Sequence, residues 1–136
     1  MKIAIVGDVH LSRYGQDAEG DSGGSEKLQS IQASLYEIAN FCKEKMIKNI
    51  IFAGDIYHNK SMLYAVAQNI FINFLKDFPD IHFYVIDGNH DLSGKVGKVV
   101  SSLKGIEDRK NITWITATDG NLSWRHPTED ILFVPY

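Results

Sequence analysis

Lys2-Ile3-Ala4-Ile5-Val6-Gly7-Asp8-Val9-His10 opens the chain with a short apolar, β-branched run that stops at a glycine and an aspartate. Such a run reads as a buried parallel strand whose carboxyl end is marked by Gly7-Asp8. The pattern returns twice. Asn49 to Ala53 is apolar and ends at Gly54-Asp55-Ile56-Tyr57-His58, and Asp80 to Ile86 ends at Gly88-Asn89-His90-Asp91. Between the first two strands, Leu28, Ile31, Leu35, Ile38, Phe41, Cys42 and Met46 step by three and four, which predicts a helix over 26–48 with Ser25 as its N-cap. A second helix is expected over 61–77, closed off by Pro79. Strand–helix–strand–helix–strand predicts an α/β fold with parallel pairing and crossover helices.

Outward from this frame the signals are weaker. Residues 12–25 hold Gly15, Asp17, Gly20, Asp21, Ser22, Gly23 and Gly24 and have little to bury, so they read as a flexible surface loop. A short helix is expected over 96–104, and β-rich pieces over 112–116, 121–125 and 131–136. Cys42 lies on or beside the apolar stripe of the first helix and reads as core packing rather than a nucleophile.

The chain has 136 residues, 44% hydrophobic and 23% charged, the composition of one ordinary globular domain. A single cysteine makes no internal disulfide. No run of 18 apolar residues occurs, and Met1 to Val6 is too short for a signal peptide's apolar core, so no membrane association and a cytoplasmic location are expected. Fourteen basic residues against seventeen acidic ones leave a net charge of −3, which is not the footprint of a basic nucleic-acid coat.

The chemistry gathers at the three strand ends. In an open parallel sheet these ends lie side by side and ligands bind there, so residues 47 and 34 positions apart (Asp8, Asp55, Asn89) converge. Carboxylate oxygen, imidazole nitrogen and amide oxygen suit Mn, Fe, Zn or Mg. Asp8 and His10 can reach one ion where the backbone bends, Asp55 can bridge two with its two oxygens, and Asn89 offers a neutral oxygen to the second. Each motif alone has an ordinary explanation as a cap, turn or solvated pair. Three in order, each closing a strand, point to a shared metal site.

This ordered set resembles the calcineurin-like metallophosphoesterase superfamily, and Gly54-Asp55-Ile56-Tyr57-His58 looks most like the SbcD-type DNA double-strand-break repair nucleases. Ile131 to Tyr136 is similar to the strand such nucleases place after the third motif. The resemblance implies the amino-terminal portion, residues 1–136, of an α/β/β/α sandwich whose second sheet is incomplete. It implies that Asp8 and His10 bind a first ion, Asp55 bridges both and Asn89 binds the second. It implies that His90 contacts the scissile phosphate and protonates the leaving oxygen, that Asp91 orients His90, and that His58 holds the phosphate or positions His90. Two cations about 3.5–4 Å apart would clamp a phosphodiester, with Mn the first choice of metal and Mg, Fe or Zn as alternatives. DNA, a coiled-coil ATPase (SbcC-like) and a homodimer are the implied partners.

The family pattern continues with a further histidine and then Gly-His-x-His. Here the histidines are His10, His58, His82, His90 and His126, with no His-x-His. The first ion keeps Asp8, His10 and Asp55; the second keeps Asp55 and Asn89. Weak or absent metal at the second site and low activity are therefore expected for this chain alone. His82 reads as a packed or surface residue and His126 as solvent-facing. Asp87 reads as a hydrogen-bonding residue of the loop rather than a ligand. Arg13, Tyr14 and Lys95 are candidate substrate contacts, with Lys98 and Lys104 as further contacts to a DNA backbone. Ser93 to Lys98 superficially resembles a phosphate loop and fails its spacing. The rival functions are hydrolysis of small phosphoesters and a catalytically dead partner-binding module.

Overall fold

The computed structural model of the chain describes residues 1–13, 25–59, 62–95, 98–106, 109–118, 120 and 123–135, with Lys95 and Lys98 described in their backbone alone. Tyr14 and most of the expected 12–25 loop lie outside the described residues.

Strands β1 (Ile3–Val6), β2 (Asn49–Ala53) and β3 (His82–Ile86) follow the expected runs, and the helices between them are α1 (Glu26–Glu44) and α2 (Ala65–Asp77). A hairpin of β4 (Leu92–Lys95) and β5 (Lys98–Ser101) follows, then β6 (Ile112–Ile115), β7 (Trp124–Arg125) and β8 (Leu132–Phe133). Among the described residues β1, β2, β3 and β6 form one sheet in that order, every pair parallel. Register pairs Val6 with Phe52 and Ala53 with Ile86, so the three strands end level with one another. That alignment brings the loops after them to one edge.

The main core lies between the sheet and the helices. Phe52 is wholly buried and meets Phe71 at 5.3 Å and Phe74 at 6.0 Å, both edge-on, while stacking on Phe83 at 6.1 Å. These pairings use the aromatic quadrupole beyond simple area burial. Cys42 is buried within this core, and burial pushes its thiol pKa up, as suits a packing residue. On the other face Ile51, Tyr84, Ile115 and Phe133 make a smaller cluster covered by the β7–β8 hairpin.

Besides α2, which begins at Ala65 rather than at 61, four details differ from the sequence expectation. First, β1 is an edge strand, and Ile5 is 71% exposed rather than buried. Ala4 and Val6 turn to the main core, while the smaller cluster takes in Ile3 and stops short of Ile5. Second, the helix expected over 26–48 stops at Glu44. Ser25 does cap its start, accepting the Leu28 N–H at 3.3 Å. At its end Met46 takes a positive φ of 55°, Ile47 N–H reaches the Cys42 carbonyl at 2.7 Å, and Met46 N–H reaches that of Lys43 at 3.1 Å. That is a Schellman stop formed without glycine. Third, within the helix expected over 96–104, Lys98–Ser101 is strand β5, paired with β4. Leu92 pairs with Ser101 and Gly94 with Val99. Gly94 sits at φ 125°, and the β-branched Val99 and Val100 favour the strand. Fourth, His126 is buried rather than solvent-facing. Its Nδ1 accepts the backbone N–H groups of Thr128 and Glu129, so Nε2 carries the proton and donates to the Tyr84 hydroxyl at 2.6 Å.

His82 lies partly buried at the opposite end of β3 from Asn89, paired with Thr113 Oγ1 at 2.8 Å. Burial first, and His126 second, hold its pKa below the ordinary imidazole range. No helix among the described residues is long and apolar enough to cross a membrane.

Candidate metal centre

The three loops at the carboxyl edge are laced together through their backbones. His10 N–H donates to the Asp55 carbonyl at 2.9 Å, Leu11 N–H to that of Ile56 at 2.7 Å, and His58 N–H to that of Leu11 at 3.0 Å. Leu11 and Tyr57 form a parallel bridge. The segment after β1 thus continues alongside the segment after β2 beyond the sheet proper. Asn59 Nδ2 donates to the buried Ser12 Oγ at 3.1 Å and closes the far end.

Asp8, His10 and Asp55 all have positive φ, at 54°, 51° and 54°. Aspartate and histidine visit this region more readily than most residues, yet each visit carries strain. Three strained residues in one loop pair is a pattern that function maintains better than packing does. The strain turns these side chains toward one point. His10 Nε2 lies 3.7 Å from Asp8 Oδ1 and 4.0 Å from Asp55 Oδ2. One donor atom from each of the three lies within 4.8 Å of the others. An ion with bonds of about 2.0–2.2 Å spans donors roughly 3.0–4.4 Å apart, so this set fits a divalent cation with small side-chain movements. The chemistry fits too: two carboxylates and an imidazole suit a hard or borderline divalent metal.

The third loop closes over Asp55. The His90 N–H donates to Asp55 Oδ1 at 2.9 Å. Asn89 lines, with Asp55, Asp87 and Val134, an open cleft of about 360 Å³. Asn89 and Asp55 therefore face the same space, although their sequence positions differ by 34. Asp87 is buried beside them, but its Oδ1 accepts from Ser101 Oγ at 2.7 Å and Trp114 Nε1 at 3.0 Å. It ties the third loop to the hairpin and to β6, the loop role expected of it.

His58 and His90 stand beside the carboxylates. Their rings are nearly parallel, 17° apart with centroids at 5.7 Å, and His10 lies edge-on to both. His90 Nδ1 is 2.6 Å from the His58 carbonyl oxygen. A carbonyl only accepts, so Nδ1 carries a proton and donates it to the His58 carbonyl.

Asp91 does not reach the His90 ring. Its carboxylate is wholly buried and accepts three backbone N–H groups, from Gly88 at 2.9 Å, Tyr57 at 3.0 Å and Ile56 at 3.3 Å. The His58 carbonyl, not Asp91, holds the imidazole. Burial raises the Asp91 pKa despite those three donors, which pull it down, and nearby Asp87 adds to the rise. Desolvation, followed by the Asp91 charge, likewise pushes the Tyr57 hydroxyl up. Asp91 is thus a clamp between the second and third loops. Its partners lie 34 and 35 positions away, beyond any local signal in the sequence.

Of the expected substrate contacts, Arg13 is exposed just past Ser12. Tyr14 and the Lys95 side chain lie outside the described residues. The sequence reading also missed Ser12 and Asn59, whose bond bridges two loops with no motif to mark it, and Val134, which reaches the cleft from beyond β8.

The sequence model of a family described as calcineurin-like phosphoesterase matches residues 1–135. No relative among curated proteins matches. Among solved structures, the nuclease MPE of Pseudomonas putida superposes with a TM-score of 0.50 at 17% identity, covering 91% of this chain and 50% of that one. This likeness shows the fold, and the chain spans half the length of that protein.

Proposed function

This chain belongs to the calcineurin-like phosphoesterase family, and from that premise we propose that it provides the amino-terminal half of a metal-dependent nuclease site that cleaves DNA phosphodiesters in the manner of the SbcD type. The observation that carries the reading is the convergence of Asp8, His10 and Asp55 within 4.8 Å, with Asn89 across the cleft and His58 and His90 alongside. Asp8, His10 and Asp55 would hold a first divalent ion, Mn in this reading, and Asp55 with Asn89 would face a second. Ions held there supply Lewis-acid polarisation of a phosphoryl group.

The chain's own residues do the rest. His90, fixed through Nδ1 on the His58 carbonyl, presents Nε2 to the leaving oxygen and, in its doubly protonated form, delivers the Nε2 proton there. His58 steadies the phosphate beside it. Asp91 keeps the loops that carry Asp55 and His90 in register. Arg13, Tyr14 and Lys95 are the proposed contacts to the DNA backbone, and a coiled-coil ATPase and a second copy of the chain are the proposed partners. Two ligands for the second ion are fewer than the three or four that hold a metal firmly, so the rate of this chain by itself is low.

The test is single-turnover cleavage, with protein in excess over end-labelled single- and double-stranded DNA. Mn-dependent product that disappears with chelator and with His90→Ala supports the reading. A second reading, hydrolysis of small phosphoesters, is favoured by the net charge of −3. Turnover of a chromogenic phosphodiester without DNA cleavage would select it instead. No turnover of either substrate, with Mn bound, would leave a partner-binding module.

A further inference from the structure

A second donor set meets at the same edge, and it contains no carboxylate. One ring nitrogen from each of His10, His58 and His90 lies within 4.8 Å of the other two. The ring centroids are 5.0, 5.3 and 5.7 Å apart. His10 stands edge-on to both partners, at 76° to His58 and 89° to His90, while the His58 and His90 rings lie nearly parallel at 17°, so the three rings crowd one region of the edge. With bonds of about 2.0–2.1 Å, a tetrahedral ion needs its nitrogens roughly 3.4 Å apart, which rotations of these side chains can reach. One ring is already set for ligation. His90 donates Nδ1–H to the His58 carbonyl at 2.6 Å, leaving the lone pair on Nε2. Metal-binding histidines are commonly oriented by such a bond to a backbone carbonyl.

The two donor sets differ in kind and share one residue. Two carboxylates with one imidazole favour Mn or Mg, whereas three imidazoles favour Zn, Ni or Cu, which also bind more tightly to nitrogen in general. His10 belongs to both sets, and its Nε2 is already 3.7 Å from Asp8 and 4.0 Å from Asp55. We infer that His10, His58 and His90 form an alternative three-imidazole site for one nitrogen-preferring divalent ion, of which Zn is the example, in competition with the carboxylate set for the His10 ring. Occupancy also withdraws His58 and His90 from a phosphate. That inhibitory consequence rests on the proposed hydrolase, while the binding itself does not.

The experiment is calorimetric titration of the 136-residue protein with ZnCl2 and with MnCl2, supported by the visible spectrum with CoCl2. Binding is read directly, so the outcome is independent of whether DNA is cleaved. His58→Ala and His90→Ala should each weaken Zn binding at least about tenfold and abolish the tetrahedral cobalt band. Retained Mn binding in these variants shows that they are folded, and far-UV circular dichroism provides the same control. Asp8→Ala should do the reverse, losing Mn and keeping Zn within about threefold, and His10→Ala should lose both. Zn binding untouched by His58→Ala and His90→Ala, or lost with Asp8→Ala as fully as Mn binding, would overturn the inference.

Discussion

Gly88 lies directly against Asp55: a Cβ on Gly88 would stand 2.2 Å from Asp55 Oδ1 and 2.3 Å from the Asp55 nitrogen. The same oxygen accepts the His90 N–H, so the third loop wraps the central carboxylate through its backbone. Only a residue without a side chain allows that approach. Gly54 plays the reciprocal part, since a Cβ there would meet Gly88 Cα at 2.8 Å.

Gly88→Ala must therefore push Asp55 and the Asn89 loop apart. We expect a loss of about 1–3 kcal/mol in urea unfolding, the usual range for forced overpacking. Mn affinity should fall at least about tenfold in calorimetry, because the displaced carboxylate belongs to the proposed donor set. Gly105→Ala is the control. A Cβ there meets nothing within 4 Å, although its φ of 102° still adds backbone strain. It should lower stability without changing Mn affinity.

Asp91→Ala removes the acceptor of three N–H groups from Ile56, Tyr57 and Gly88. Stranding donors in a buried site costs about 1–3 kcal/mol for each group, and the loops can relax to recover part of it. We expect a net loss of about 3–5 kcal/mol by denaturant unfolding. Asp91→Asn keeps one acceptor oxygen and should lose less. If Asp91 served chiefly to orient His90, both variants would alter catalysis and leave stability near wild type.

How much of this was readable beforehand follows from distance along the chain. The three strands and the convergence of Asp8, His10 and Asp55 after them were legible because a strand, a glycine and an acid are adjacent in sequence. The hairpin at 92–101 was not, since Val96 to Lys104 has no decisive period and its pairing draws on Asp87 and on Ser102, which bonds the Asp91 carbonyl. His126 looked solvent-facing because its partner Tyr84 is 42 positions away. The positive φ values at Asp8, His10 and Asp55 leave no mark in composition, because neither residue type announces a left-handed backbone as glycine does.

Tyr36 gives a pH signature remote from the metal centre. Its hydroxyl, on α1, donates to Asp77 Oδ2 at 2.5 Å at the end of α2, and its ring packs edge-on to Phe74 and Phe78. Burial, then the hydrogen bond and charge of Asp77, push its pKa from 10.0 up to about 12. The folded-state value is the higher one, so the stabilisation is complete below pH 10.0 and is lost as pH rises through about 12. Tyr36→Phe should be less stable than wild type by about 0.5–1 kcal/mol at pH 7, since the bond is near solvent. The gap should close between pH 10.0 and about 12 in thermal unfolding. A gap that stays constant across that window would assign the effect to ring packing alone.

Cation binding should also register as stability. Asp8 and Asp55 place two carboxylates around the His10 ring on strained backbone, and a divalent ion offsets their repulsion while binding the folded arrangement only. Linkage then predicts a gain of about 2.7 kcal/mol when free Mn exceeds its Kd 100-fold. Thermal unfolding with added MnCl2 should show a rise in Tm that chelator reverses. Asp55→Ala should abolish the rise, because Asp55 belongs to the three-residue donor set and also holds the His90 N–H. Asn89→Ala should leave most of it, because Asn89 stands outside the Asp8–His10–Asp55 donor set. Equal loss in both variants would mean that the two positions form one site rather than a strong one beside a weak one.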